Sequence, residues 1–219
     1  MPDWMPLLLQ GAWLTVQITF FGALVAIVLA VAGALGRLSP WRFLRWFSIA
    51  YIELFRGTSL LVQLFWLFFV LPLPPFNVSL SPYVVGILGL GLHIGAYGAE
   101  VMRGAILSVP RAQYEACIAL NMGRGRRFFR IILPQALLAA IGPGTNLLIE
   151  LLKNTSLVSL ITLADLTFRA RQIEQATFET VTVFGLVMLL YFAMAQCINA
   201  AMRLLERRLA RGRLKGGMS

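Results

Sequence analysis

Long apolar stretches dominate the hydropathy pattern of this 219-residue chain. A helix needs roughly 20 mainly apolar residues to cross a hydrocarbon core about 30 Å thick. Five stretches meet that length, and none shows the alternation of apolar and polar residues found in the strands of membrane barrels. The pattern therefore predicts an all-α integral membrane bundle of five transmembrane helices, over residues 7–35, 47–71, 82–107, 133–152 and 181–205.

Proline and glycine interrupt this pattern at two places. A proline-rich link at 72–77 separates the second and third spans, and Gly142, Pro143 and Gly144 lie inside the fourth. Because proline removes a helical hydrogen bond, we expect the fourth helix to bend or unwind at these residues.

Composition agrees with a membrane protein, since 59% of the residues are hydrophobic and 13% are charged, with a mean hydropathy of +0.80. A water-soluble domain explains these values poorly. Residues 1–10 contain no Lys or Arg, so we expect them to belong to the mature protein rather than to a cleavable signal peptide. The whole chain, residues 1–219, is expected to form one transmembrane domain.

The 19 Lys and Arg residues, which give a formal net charge of +10, separate by side of the membrane. Sixteen flank the first and third links or lie near the C-terminus, including the basic tail at 206–219, and only Lys153, Arg169 and Arg171 lie on the opposite side. Since such residues accumulate in cytoplasmic loops, we expect the N-terminus outside and the C-terminus inside. A nucleic-acid-binding face would not be divided in this way, so no nucleic-acid partner is expected.

The sequence lacks motifs for catalysis. It contains no Gly-rich turn followed by Lys and Ser or Thr, so we do not expect the chain to hydrolyse ATP alone. Intramembrane proteolysis by aspartates would need two facing carboxyl groups, but Asp3 and Asp165 both fall in segments predicted to be exposed. We therefore expect a protein that is not an enzyme.

The link between the third and fourth spans, 108–133, carries its own helix signals. Ser108 and Pro110 are typical of a helix start, and Asn121 to Gly123 can adopt the left-handed conformation that ends one. A second helix is expected to begin near Arg124, which gives a helix–turn–helix in the cytoplasm.

Three runs in this link resemble the Glu-Ala-Ala loop of permease subunits of ATP-binding-cassette (ABC) importers: Tyr114-Glu115-Ala116-Cys117, Asn121-Met122-Gly123 and Ile131-Ile132-Leu133-Pro134-Gln135-Ala136. Further runs at 53–63, 95–106 and 153–157 are similar to the polar amino acid branch of that family, so the resemblance covers nearly the whole chain. The chain departs from the family pattern at Cys117, Asn121 and Ser59, where Ala, Gly and Pro are usual. Cysteine is small and asparagine accepts a positive φ, so the bend is preserved.

The resemblance implies a bacterial inner-membrane permease subunit that pairs with itself or with a paralogue. It also implies two ATPase subunits, which bind ATP and Mg, and an extracytoplasmic solute-binding protein, whereas no cofactor or metal is expected on this chain. The implied cargo is a polar amino acid or a small zwitterionic derivative of the opine or ectoine type, moved into the cytoplasm.

In that family, the short helix of the loop fits a groove on the ATPase and couples its closure to the spans. The implied coupling residues are Tyr114, Glu115, Ala116, Cys117, Asn121, Met122 and Gly123. By composition alone, the same link also fits an amphipathic helix that lies on the inner leaflet.

One charge pattern occurs twice near the cytoplasmic boundary. Each copy places a carboxylate and a guanidinium at i,i+3 on one helix face, as Glu53 with Arg56 and Glu100 with Arg103. Two interpretations remain open: an inner gate whose pairs rearrange, or static pairs that fix the bundle.

Polar residues inside the spans and at their outer ends are candidates for a substrate pathway, because polar groups within a membrane are costly and usually functional. They are Gln63, His93, Tyr97, Asn146, Glu150, Lys153, Asn154, Thr155 and Ser156. His93 and Tyr97 also fit simple packing, and Lys153 also fits the C-terminal cap of a helix. Helix ends broken at 142–144 would direct backbone dipoles at the substrate.

The alternative function is a self-sufficient secondary transporter or channel subunit, which the lack of an inverted repeat disfavours.

Overall fold

The computed structural model describes the backbone of residues 4–214 and side chains up to residue 210. The predicted all-α fold is confirmed, since the described residues contain no strand. Asp3, Lys215 and the rest of the predicted basic tail beyond residue 214 lie outside the described residues. The helices are α1 (Met5–Arg37), α2 (Arg42–Gly57), α3 (Leu60–Phe65), α4 (Pro82–Leu107), α5 (Arg111–Ala119), α6 (Arg124–Arg127), α7 (Leu133–Asn154), α8 (Leu166–Thr177) and α9 (Thr180–Leu214).

Four helices are long and apolar enough to cross a membrane, and a bent pair at the place of the predicted second span adds a fifth if the pair is counted as one span. The continuous ones are Met5–Arg37, Pro82–Leu107, Arg124–Ile161 and Thr180–Ala210. The second span consists of α2 and of α3 with the π-helical turn Trp66–Val70, and the two parts meet at an angle of 106°. Its helix begins at Arg42, five residues before the predicted start at residue 47.

The fourth span contradicts the predicted break at Pro143. α7 remains α-helical throughout Leu133–Asn154, although Pro143 lies inside it. The hydroxyl of Thr145 donates to the carbonyl of Ile141 at 2.8 Å, which adds a local bond to this part of the helix.

α4 lies at the centre of the bundle and packs closely against α1. A Cβ atom on Gly91 would lie 2.6 Å from Cγ1 of Val25, and one on Gly95 would lie 2.8 Å from Cβ of Leu29. Glycine is therefore required for the two backbones to approach this closely. The core beside this contact is formed by Ile18, Ala26, Leu60, Leu64, Val85, Leu90, Ile94, Leu151, Val158 and Ile161.

α8 was not predicted, and its first turn depends on Asp165. The two carboxylate oxygens of Asp165 accept hydrogen bonds from the backbone N–H groups of Phe168 at 2.9 Å and Thr167 at 3.2 Å. The expectation that Asp165 is exposed was wrong, because this cap holds it fully buried against α1, where Gly11 touches its carbonyl. Burial raises the pKa of Asp165 to about 6.

Candidate functional site

The link between α4 and α7 folds as predicted at its first helix. α5 covers Arg111–Ala119, Asn121 has the left-handed φ of 51° that ends it, and the next helix begins at Arg124. The second helix is not a separate element, however. α6 continues through the π-helical turn Phe128–Ile132 directly into α7, so one rod connects the turn after α5 to the C-terminal end of α7.

Two residues of α5 attach it to the rest of the chain. Cys117 is only 3% exposed, and the half-buried ring of Tyr114 packs against the cluster formed by Ala105, Ile106, Val109, Ile132 and Ala136. The guanidinium of Arg127 lies 5.8 Å from the centre of the Tyr114 ring. The expectation that Cys117 contacts a docking partner was therefore wrong, because its side chain faces this chain.

The opposite side of α5 is open. Glu115 and Ala116 are exposed, as contact residues must be. Two apolar side chains that are not among the predicted coupling residues are also exposed, Ile118 at 63% and Leu120 at 75%. Exposed aliphatic residues that lie together mark a contact with a protein or with a membrane surface. Asn121, Met122 and Gly123 form the turn that positions this surface.

A charge network joins the helices α1, α2 and α4 around Glu100. The Arg103 guanidinium donates from Nη2 at 2.8 Å and from Nε at 3.1 Å to Oε2 of Glu100, so the predicted pair is present. The other oxygen of Glu100 accepts from Arg37 at the end of α1. Arg37 also lies 3.9 Å from Oε1 of Glu53. One carboxylate is thus shared by two guanidinium groups.

The predicted pair of Glu53 with Arg56 was wrong. No ion pair joins them among residues 4–210; Arg56 instead lies over the ring of Tyr97, 5.2 Å from its centre. Both residues lie inside α2, but each has its partner on another helix, Arg37 of α1 for Glu53 and Tyr97 of α4 for Arg56. Nothing in the sequence links Arg37 to Glu100, 63 residues away.

Three pathway candidates gather at the break between α2 and α3. The amide nitrogen of Gln63 donates to the carbonyl of Phe55 at 2.9 Å and to the hydroxyl of Thr58 at 2.7 Å, so it bonds across the break. Its amide oxygen lies 3.1 Å from Nδ1 of His93. The ring of His93 lies 5.2 Å from that of Tyr97. The hydrogen bonds of this cluster therefore hold the bend between α2 and α3, and they occupy the side-chain amide of Gln63 and Nδ1 of His93.

The candidates on α7 form an exposed polar stripe. Asn146, Glu150 and Lys153 are all exposed and follow the i, i+4, i+7 spacing of one helix face. The other face carries the buried residues Leu151 and Leu152. Polar side chains on the outside of a membrane helix are expensive unless they face water or another subunit. The stripe is therefore a surface that requires a polar or protein neighbour.

The hydroxyl residues after Lys153 close the end of α7. Thr155 is fully buried and donates to the carbonyl of Leu152 at 2.7 Å, so it is not available to a solute, contrary to expectation. Ser156 is half-buried and donates to the carbonyl of Lys153 at 2.9 Å. Asn154 is half-buried as well.

Comparison with known proteins agrees with this architecture. Residues 22–211 match the family model of the binding-protein-dependent transport system inner membrane component. The chain is 47% identical to a probable amino-acid ABC transporter permease protein, y4tF, of Sinorhizobium fredii, over 96% of this chain and 90% of that protein. It is 37% identical to the L-cystine transport system permease protein TcyB of Bacillus subtilis, over 94% and 88% of the two chains.

A solved structure shows the same fold. A crystal structure of an amino acid ABC transporter with histidines superposes with a TM-score of 0.86 at 30% identity, and the match covers 94% of this chain and 95% of that one. The chain therefore belongs to the family of binding-protein-dependent transport system inner membrane components, as a permease subunit of an amino-acid ABC transporter.

Proposed function

We propose that this chain is the permease subunit of an importer that moves a polar amino acid, or a small zwitterionic derivative such as an opine or ectoine, into the cytoplasm. ATP hydrolysis on two separate ATPase subunits supplies the free energy, and ATP and Mg are bound there. The observation that supports this proposal is the helical rod Arg124–Ile161, which joins the exposed surface of α5 to the polar stripe of α7.

The stripe suits a zwitterionic cargo. Glu150 offers a carboxylate for an ammonium group, Lys153 offers an ammonium for a carboxylate, and Asn146 can donate to or accept from either. The names of the relatives agree with this class, since y4tF is described as an amino-acid permease and TcyB as part of an L-cystine system.

The same stripe indicates a second permease subunit, either another copy or a paralogue. Insertion measurements place the cost of one charged residue at the centre of a membrane helix at about 2.5–3.5 kcal/mol. A second half-pore that faces the stripe across a water-filled path removes that cost. A solute-binding protein delivers the cargo from outside, where the N-terminus lies, and the C-terminus is inside with α5.

Docking of an ATPase on α5 is tested by enlarging Ala116. Ala116→Trp adds a large side chain to an exposed position of α5, and Glu115→Lys reverses a neighbouring charge that is worth about 0.2–1 kcal/mol at an exposed contact. We expect Ala116→Trp to insert and fold normally but to lose the co-purifying ATPase subunit or substrate-stimulated ATP hydrolysis, whereas Glu115→Lys has a milder effect.

The matched control is Ala200→Trp, which makes the same change at an exposed position of α9. It should retain assembly and stimulated hydrolysis. If Ala116→Trp retains both at the wild-type level, α5 is not the coupling element and the helix is a membrane-surface helix. If no ATPase co-purifies with the wild-type protein, the importer proposal itself fails and the secondary-transporter alternative is favoured.

A further inference from the structure

The first two turns of α2 form a basic and aromatic surface that none of the roles above uses. All seven residues from Trp41 to Phe47 are exposed, and the first buried side chain of the helix is Ser48. Four of them are large aromatic residues that are mostly open, Trp41 at 75%, Phe43 at 80%, Trp46 at 68% and Phe47 at 62%. This basic aromatic patch therefore contributes little to the core of the chain.

Two arginines of the patch have no acidic partner among the side chains that the structure describes. Among residues 4–210, no carboxylate lies within 4 Å of Arg42 or Arg45, whereas Arg37, a few residues earlier, is bound to Glu100. Both arginines line one surface groove with Phe43, Trp46 and Ile49. The groove thus combines two free guanidinium groups with an apolar wall.

The position of the patch along the chain places it at the membrane surface. α1 has 33 residues and is about 50 Å long at 1.5 Å per residue, which exceeds the hydrocarbon thickness of about 30 Å. Its end at Arg37 therefore extends into the headgroup layer, and α2 begins only five residues later. Tryptophan is enriched at this depth, and arginine there contacts lipid phosphate.

We propose that the groove formed by Arg42, Phe43, Arg45, Trp46 and Ile49 binds an anionic phospholipid. The two guanidinium groups hold the headgroup phosphate, and the acyl chains lie along the aromatic side chains and Ile49. Charge complementarity favours an anionic lipid over a zwitterionic one, because the positive group of a zwitterionic headgroup would be repelled by the two arginine side chains. Trp41 provides no side-chain cap, so the first N–H groups of α2 also face the phosphate layer.

The experiment uses the full chain, purified in detergent with its co-purifying subunits, stripped of lipid and titrated with phosphatidylglycerol in native mass spectrometry. Each basic residue near an anionic lipid surface contributes a factor of about five in affinity, so Arg42→Gln with Arg45→Gln should weaken phosphatidylglycerol binding roughly thirty-fold. The Lys double variant at the same positions should retain part of the affinity. Phosphatidylcholine should bind weakly to all of them.

The matched control is Arg207→Gln with Arg208→Gln, which removes two exposed positive charges from α9 without a neighbouring aromatic groove. It should keep the wild-type affinity. The proposal is overturned if the Gln variant at 42 and 45 binds phosphatidylglycerol as tightly as the wild type, or if inorganic phosphate displaces the lipid at equal concentration. Loss of a co-purifying subunit from that variant, with lipid affinity unchanged, would identify the patch as a protein contact and would also overturn it.

Discussion

The sharing of Glu100 by two guanidinium groups predicts an unequal response to mutation. Arg103→Ala removes one donor, but Arg37 continues to neutralise the carboxylate. Glu100→Gln instead leaves Arg103 without a counter-charge and Arg37 with only Glu53, 3.9 Å away, in a place where the side chains of Arg37 and Arg103 are only 24% and 30% exposed. We therefore expect Glu100→Gln to be the more destabilising change.

The size of each effect follows from the burial of the network. Breaking a fully buried ion pair costs about 3–5 kcal/mol, and an exposed pair contributes about 0.2–1 kcal/mol. With side chains between 19% and 30% exposed, the network lies between these limits. We expect about 1 kcal/mol for Arg103→Ala, because Glu100 keeps one partner, and about 2–3 kcal/mol for Glu100→Gln.

Thermal denaturation of the purified protein in detergent ranks these variants, and uptake into proteoliposomes measures their function. Arg203→Ala, an exposed arginine on α9, is the control for removal of one positive charge. If Arg103→Ala lowers the denaturation midpoint as far as Glu100→Gln does, Arg37 does not compensate and the reasoning is wrong. Reduced uptake by Arg103→Ala at normal membrane abundance supports a moving gate, whereas loss of the protein from the membrane supports static pairs.

Three further predictions concern other parts of the bundle. Burial raises the pKa of Asp165 from 3.8 to about 6, so the stability that this residue contributes is complete below pH 3.8 and is lost as the pH rises through 6. The thermal midpoint should therefore fall more between pH 4.5 and 7.5 in the wild type than in Asp165→Asn. An equal fall of the midpoint in both proteins would contradict this. Gly95→Leu should abolish folding, because even a Cβ would approach Leu29 to 2.8 Å; normal membrane abundance would argue against this close helix contact. A reporter fused after Ser219 should be active only in its cytoplasmic form and one inserted near Asn77 only in its external form, and opposite activities would reverse the proposed orientation.

Properties that depend on local sequence could be predicted. Runs of about 20 apolar residues identified the spans, and the left-handed propensity of Asn121 located the end of α5. The i,i+3 spacing of Glu100 and Arg103 predicted their contact, because both lie on one face of the regular helix α4. The same spacing failed for Glu53 and Arg56, since Arg37 of α1 and Tyr97 of α4 supply their partners instead.

Contacts between distant helices could not be predicted. Arg37 reaches Glu100 across 63 residues, and only the close packing of α1 on α4 brings the two together. Burial of Asp165 has the same origin, because α1 covers the segment in which it lies. At Pro143 the local sequence predicted a break in the helix, but α7 remains α-helical there. A long membrane helix tolerates a proline where neighbouring groups satisfy the freed backbone carbonyl.

The uninterrupted helix from α6 through α7 acts as a lever. Its 31 residues from Arg124 to Asn154 extend about 46 Å at 1.5 Å per residue. A tilt of about 10° at the end beside α5 would displace the other end, beside Lys153, by about 8 Å, a distance comparable to a whole amino acid. A small closure beneath the membrane would therefore be amplified at the opposite face without any flexible joint between them. Had Pro143 unwound the helix as its sequence suggests, much of that displacement would have been absorbed at the break.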